Sequence, residues 1–215
     1  MITPFNIKLA IIIITSAYFL GSISISILLC KWFGLPDPRV QGSKNPGTTN
    51  VLRIGGKKLA ASVLFLDALK GFTIVWCAKL LFMSNLVIGI VAFAAFIGQL
   101  FPVFFGFRGG KGIAITLGIM LAMCWQLALL CLLVWIIVFT ISKISSLAGI
   151  SAVILAIMIS VTRIWCYYNS IDIIDLELLS LSPEFAICIM VLGGFILVKH
   201  KSNIINLFNK TEKQI

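Results

Sequence analysis

The chain has 215 residues, 60% hydrophobic and only 11% charged, with a formal net charge of +10 and a mean hydropathy of +1.13. A soluble domain covers its core with a surface about a quarter charged; this chain has too few charges for that, so lipid must do the solvating. A strongly basic soluble protein would suggest nucleic acid, but here the charge reads as the positive-inside bias of a membrane protein, and no nucleic-acid partner is expected.

Apolar runs such as Leu9–Cys30, Leu59–Phe82 and Leu86–Phe105 each approach the ~20 residues a helix needs to cross the hydrocarbon. The first exceeds an ordinary secretory leader and further spans follow it, so it reads as the first helix. Seven spans fit best, at roughly 8–31, 58–82, 86–105, 112–123, 126–142, 146–166 and 184–199. The stretch 113–141 is either one tilted helix or two short ones turning at Cys124–Trp125–Gln126. Charge decides for two. With the N-terminus outside, most of the 17 basic residues, including Lys31, Arg39, Lys44, Arg53, Lys57, Lys58, Arg108, Lys111, Lys143 and the tail lysines, then fall inside. Asp172, Asp175, Glu177 and Glu184 fall in one outside loop. The expectation is an all-α integral membrane protein of about seven helices and one domain over residues 1–215. Its C-terminus is cytoplasmic, and a polar active site lies on the cytoplasmic side.

Cysteines 30, 77, 124, 131, 166 and 188 stand singly in or near apolar runs, with no CxxC pair. One histidine and few carboxylates do not build a zinc or two-metal site, so no metal or cofactor is expected. Inside the second span, Asp67 and Lys70 are i,i+3, which suits a structural ion pair that lowers the cost of intramembrane charge.

The polar material lies in the inside loops. Between Gly34 and Arg53, the stretch Gln41 to Asn50 is almost entirely small or hydrogen-bonding. Such a segment must fold against protein or line a wet cavity. Ser43, Asn45, Thr48, Thr49 and Asn50 offer polar groups, Gly42 and Gly47 permit close backbone approach, and a short helix starting near Gly47 would aim N–H groups at an anion. A plain solvated loop is the alternative. The second loop, Gly106 to Gly112, has Gly109, Gly110 and Gly112 to shape a nest of N–H groups, with Arg108 and Lys111 supplying charge. It departs from a Walker A loop, because Gly112 follows Lys111 where Ser or Thr is needed. Ser145 and Ser146 open a later helix, either as a plain cap or as substrate contacts. His200 and Asn203 are i,i+3 and can look inward from one helix face.

In order along the chain, several segments resemble the bacterial acyl-phosphate:glycerol-3-phosphate acyltransferases of the PlsY type. They are Gly21-Ser22, Gly42 to Arg53, Leu66 to Gly71, Phe101 to Gly112, Ser145 to Leu147, and His200 with Asn203 and Glu212. The resemblance spans nearly the whole chain. It implies acyl transfer from acyl phosphate to the sn-1 hydroxyl of glycerol 3-phosphate, in the bacterial inner membrane, without a metal. Lysophosphatidic acid and phosphate would be the products, and membrane lipid the surroundings. By position it makes Ser43, Arg53, Lys111, His200 and Asn203 the catalytic set. Gly42, Asn45, Gly47, Thr49, Asn50, Arg108, Gly109, Gly110, Gly112, Ser145 and Ser146 would bind substrate, and Glu212 would be structural. Lys44, Thr48, Arg108 and Ser24 depart from the residues usual in the family.

Two other functions compete with this one. An acyltransferase using an HxxxxD pair is disfavoured, because Ile205 stands five residues after His200. A carrier for an organic phosphate would show repeated halves and broken midplane helices, whereas the polar segments here gather at one interface. Ser43 as a covalent nucleophile lacks a histidine–carboxylate pair in sequence to activate it. A hydrogen-bonding, positioning role suits it better. His200 is the residue whose ordinary pKa suits a base, acting on the hydroxyl directly or through a substrate phosphate.

Overall fold

A computed structural model describes residues 4–81, 83–170 and 181–214. Among them every regular element is helical. In chain order these are α1 (Pro4–Gly21), α2 (Ile25–Trp32), α3 (Thr48–Leu80), α4 (Asn85–Leu100), a 3-10 turn (Val103–Phe105), α5 (Ile113–Met123), α6 (Trp125–Ser142), α7 (Ser145–Tyr168), α8 (Pro183–Lys199) and α9 (Lys201–Phe208). The acids Asp172, Asp175 and Glu177, expected in an outside loop, lie outside the described residues. The chain divides into two compact units, Met1–Ala122 and Met123–Ile215. No linker in the sequence marks that division.

Four helical stretches are long and apolar enough to cross a membrane: Thr48–Leu80, Asn85–Phe105, Trp125–Ser142 and Ser145–Tyr168. Two bent pairs, α1 with α2 at 41° and α8 with α9 at 60°, raise the number to six if each pair is one span. The helix expected over 112–123 is present as the 11-residue α5. At 1.5 Å per residue it is about 16 Å long, well short of a ~30 Å hydrocarbon core. The stretch 113–141 is two helices, as charge argued. Cys124 (φ −153°, ψ 83°) breaks it, and Lys79 Nζ donates to the Ala122 carbonyl at 2.8 Å, serving one of the acceptors freed at the end of α5.

The first span corrects the expectation of one helix over 8–31: it stops at Gly21 and restarts at Ile25. The break frees carbonyls, which buried apolar surroundings cannot satisfy. Lys70 satisfies them from α3, donating to Gly21 O at 3.2 Å and Ile23 O at 2.7 Å. Its ammonium also lies 3.1 Å from Asp67 Oδ1, the ion pair expected from sequence. That contact is ionic rather than a directed hydrogen bond, since Asp67 Oδ1 has no hydrogen-bond partner. Around the same break, small residues let backbones touch. A Cβ on Gly21 would strike the Ala95 carbonyl of α4, and one on Gly98 would strike the Tyr18 carbonyl of α1. Close approach of this kind is how helices associate where lipid removes the hydrophobic drive.

α3 begins where the sequence suggested. Gly47, extended at φ −151° and ψ 166°, is its N-cap, and Gly56 at φ 78° divides it into a short first piece and a long second one. Only glycine takes that φ readily. The short piece is tied to the first unit's core, where Cys30, Val51, Leu59 and Val63 pack together with Ile25, Leu29 and Leu35.

Candidate functional site

The loop between α2 and α3 is organised from within by one side chain. Asn50, 1% exposed, accepts from Ser43 N–H at 2.8 Å through Oδ1. Its Nδ2 donates to Pro38 O at 2.8 Å and Gln41 O at 2.9 Å. Gly42 sits at φ 64° with its Cα against this amide, where a Cβ would collide with Asn50 Oδ1. Both amide hydrogens of Asn50 are therefore committed to the loop. The side chain of Asn50, expected from sequence to bind substrate, here shapes the loop. What the turn leaves outward is the Ser43 side chain, exposed beside Lys44 (φ 56°). Asn45, Gly47 and Thr49 are half-buried on the way into α3. One turn on, Arg53 is exposed.

A second clip, which sequence reasoning missed, joins this loop to the next. Arg39 grips Asp37 with Nε at 3.1 Å from both carboxylate oxygens and Nη2 at 2.7 Å from Oδ2. Its Nη1 donates to Phe105 O in the 3-10 turn at 2.8 Å. These hydrogen bonds hold the Asp37 carboxyl below the usual aspartate range, against the opposing effect of partial burial. The i,i+2 spacing of Asp37 and Arg39 was the available signal, but opposite charges so close in sequence are common.

The glycine loop ends α4 and starts α5. Pro102 stops α4 by pushing Phe101 out of helical geometry (φ −132°, ψ 65°). Gly110 then folds back, its N–H donating to Gln99 O at 3.2 Å. That N–H is committed to α4, so the nest expected from Gly109, Gly110 and Gly112 does not include it. The glycines are demanded by contact as much as by turning. A Cβ on Gly109 would strike Gln99 O, one on Gly110 would lie 2.8 Å from Pro46 O, and Gly112 at φ 86° rests on the Phe96 ring. The Pro46–Gly110 approach and the Arg39–Phe105 bond bring together the two loops that the sequence marked as polar. Arg108 is exposed, and Lys111 is half-buried just before α5. Loop 43–53 and loop 106–112 thus form one cationic corner of the first unit.

The second unit holds a different cluster. Glu212 Oε1 accepts from Ser146 Oγ and from Asn203 Nδ2, both at 2.6 Å. Ser146 is therefore not the helix cap weighed from sequence; the N-cap of α7 is Ile144, whose own N–H donates to Ser142 Oγ at 3.1 Å. Ser145 is half-buried at the first position of α7. His200, 4% exposed, occupies the corner between α8 and α9 rather than the interior of one helix. Its Nδ1 lies 2.8 Å from Ile196 O, which can only accept. In the neutral ring the proton then sits on Nδ1, and the lone pair is presented at Nε2. His200 and Asn203 are each held by a separate anchor, where one shared helix face was expected.

Known proteins resemble this chain over nearly its whole length. A family model described as glycerol-3-phosphate acyltransferase matches residues 11–210. Relatives carrying that description include a protein of Shewanella halifaxensis, 42% identical over 207 residues that cover 96% of this chain and 95% of its own. Those of Colwellia psychrerythraea (41% over 207 residues, 96% of each) and Idiomarina loihiensis (39% over 205 residues, 95% of each) are similar. Among solved structures, the crystal structure of PlsY, an integral membrane glycerol 3-phosphate acyltransferase, matches in its glycerol 3-phosphate form. The TM-score is 0.81 at 34% identity, over 96% of this chain and 95% of that one. Its lysophosphatidic acid form matches at a TM-score of 0.80 and 33% identity, with the same coverage.

Proposed function

The chain belongs to the glycerol-3-phosphate acyltransferase family, and on that premise we propose that it moves a fatty acyl group from acyl phosphate to the sn-1 hydroxyl of glycerol 3-phosphate. It is an integral membrane acyltransferase of phospholipid synthesis; the proposal concerns the donor, the position acylated, the inner-membrane location and the residues. The observation that carries it is the joined pair of loops in the first unit. A polar turn with an outward Ser43 is clipped to a glycine loop bearing Arg108 and Lys111, with Arg53 exposed one turn into α3. Both proposed substrates are phosphate esters or anhydrides, and this corner offers them cations and hydrogen-bond donors on a fixed frame.

Arg53 grips a phosphate in bidentate fashion and Lys111 acts as a point charge beside it. Ser43 hydrogen-bonds and orients substrate. Acyl phosphate is an activated donor whose leaving group departs as phosphate, so no strong acid is required. Aligning the hydroxyl with the carbonyl supplies a large share of the rate, and fixed N–H donors stabilise the oxyanion that develops. The hydroxyl oxygen forms the new ester bond as the carbonyl–phosphate bond breaks, and inorganic phosphate leaves. The hydroxyl proton passes to a phosphate oxygen, whose second pKa near ~6 suits it to accept at neutral pH. His200, held by Ile196 O with Nε2 as acceptor, is assigned the orienting of the hydroxyl by its motif position. Asn203 is assigned the oxyanion side by its motif position, and Glu212 holds Asn203 in place. On the charge bias of the sequence, the two polar loops face the cytoplasm, where glycerol 3-phosphate is dissolved.

The test is donor and product identity. Purified protein in detergent is given labelled glycerol 3-phosphate with acyl phosphate or, separately, an acyl thioester, and the lipid product is analysed by NMR. The expected product is sn-1 lysophosphatidic acid, from acyl phosphate alone. Transfer from the thioester would overturn the donor, and movement of glycerol 3-phosphate into vesicles without acylation would replace the enzyme by a carrier. His200→Ala is expected to lower kcat about 10- to 100-fold, within what orientation alone supplies. A near-normal kcat would remove His200 from the reaction.

A further inference from the structure

Beneath the glycine loop lies a buried polar cluster that the reaction does not use directly. Gln99, 6% exposed in the last turn of α4, is held at both ends of its side-chain amide. Oε1 accepts from Lys70 Nζ at 2.6 Å, and Nε2 donates to Asp67 Oδ2 at 3.2 Å. Its main-chain carbonyl, one of the acceptors a helix leaves unpaired at its C-terminus, takes the Gly110 N–H at 3.2 Å. A Cβ built on Gly110 would lie 3.7 Å from Gln99 Nε2, and one on Gly109 would strike Gln99 O. The loop therefore rests directly on this residue. Lys70 in turn ties the cluster to the break between α1 and α2 through Gly21 O and Ile23 O.

Stability alone is a weak reason for such an arrangement. A buried ion pair costs several kcal/mol per charge in desolvation, roughly what its attraction returns, and apolar replacements often do as well. A rigid polar floor fixed to three helices has another use, which is to hold a backbone loop at one height. We propose that Gln99 is a positioning residue for the anion-binding corner, with Asp67 and Lys70 locking its amide so that Gly110 holds Lys111 in register with the Ser43–Pro46 turn. The substrate class that feels this is the phosphate group common to donor, acceptor and product. The inference rests on the acyltransferase reading for its kinetics but not for its binding test.

Inorganic phosphate is the probe. Its binding to the full-length protein in detergent is measured by calorimetry for wild type, Gln99→Leu and Gln99→His, with thermal midpoints and steady-state KM and kcat recorded beside it. Leucine keeps the bulk and removes both side-chain bonds; a neutral imidazole has one donor and one acceptor and can replace the bridge. Gln99→Leu is expected to weaken phosphate binding and raise KM for acyl phosphate, each about tenfold, with Gln99→His restoring most of the loss. Should the leucine variant fail to fold, Gln99→Glu keeps the Lys70 contact, loses the donation to Asp67 and is expected to weaken phosphate in the same sense. Unchanged phosphate affinity and KM in a folded variant, with only a lowered thermal midpoint, would overturn the proposal by making Gln99 merely structural. Absence of phosphate binding in the wild type would overturn it as well. Phosphate binding without any acyl transfer would sink the enzymatic reading and leave this one standing.

Discussion

The two polar regions of the molecule solve opposite problems. In the first unit, the loop side chains that fix the backbone, Asn50 and Arg39, are consumed internally, while Ser43, Arg53 and Arg108 are left exposed at the surface of the loops. In the second unit the polar side chains close around one acid, with Ser146 and Asn203 both donating to Glu212. On the proposed reading, the first region meets an anion from outside. The second carries its own anion. A carboxylate left in the first region would repel phosphate, and the acid nearest in sequence, Asp37, is neutralised by Arg39. Loop order and ligand capacity are thus assigned to different residues.

The sharpest way to break this division is to remove a loop organiser whose side chain is spent within the loop. Asn50→Ala deletes three hydrogen bonds that define the Ser43 turn, and is expected to lower kcat/KM about 100-fold, as displacement of about 1 Å does in a positioned site. A steady-state assay on folded protein checks it, and an effect under about threefold would return Asn50 to the status of an ordinary loop residue. Glu212→Ala should act in the other region on stability as well as on the placing of Asn203. Losing two short bonds to a half-buried carboxylate is expected to cost about 2 kcal/mol, read as a lower unfolding midpoint of the second unit's reporters, and Glu212→Gln, which keeps an acceptor oxygen, should cost less. Equal losses in the two variants would mean that charge rather than the shared acceptor matters. The smallest effect concerns pH. Because the Arg39 hydrogen bonds lower the Asp37 pKa in the folded chain, their contribution is fully present above the ordinary aspartate value of ~3.9. It is lost only as pH falls through the lower folded value. Loop protection, followed by hydrogen exchange, should therefore be flat from about pH 5 to 8, and Arg39→Gln should shift its loss upward toward the ordinary value.

Much of this was legible in the sequence. Charge bias placed the break at Cys124–Trp125–Gln126 and capping residues placed the helix start near Gly47, because apolar runs and caps are local signals. The Asp67–Lys70 pair was visible as i,i+3 spacing within one helix. What escaped were features created by contacts between elements. The interruption of the first span at Ser22–Ser24 depends on Lys70 arriving from α3 to take the carbonyls. Gln99 went unremarked in the sequence, and only the fold reveals that it bridges Asp67 and Lys70 and carries Gly110. The part Asn50 plays in shaping the turn also escaped, because it depends on both amide hydrogens reaching Pro38 and Gln41.

The central claim, that the joined loops of the first unit clamp the phosphate of an acyl donor and acceptor, is met most directly by phosphate release from acyl phosphate with and without glycerol 3-phosphate, for wild type, Arg53→Ala and Lys111→Ala. Release is expected to require glycerol 3-phosphate and to fall about 100- to 1,000-fold in each variant, the usual loss for one donor to a developing charge. Release that is independent of glycerol 3-phosphate, or that survives in both folded variants, would contradict it.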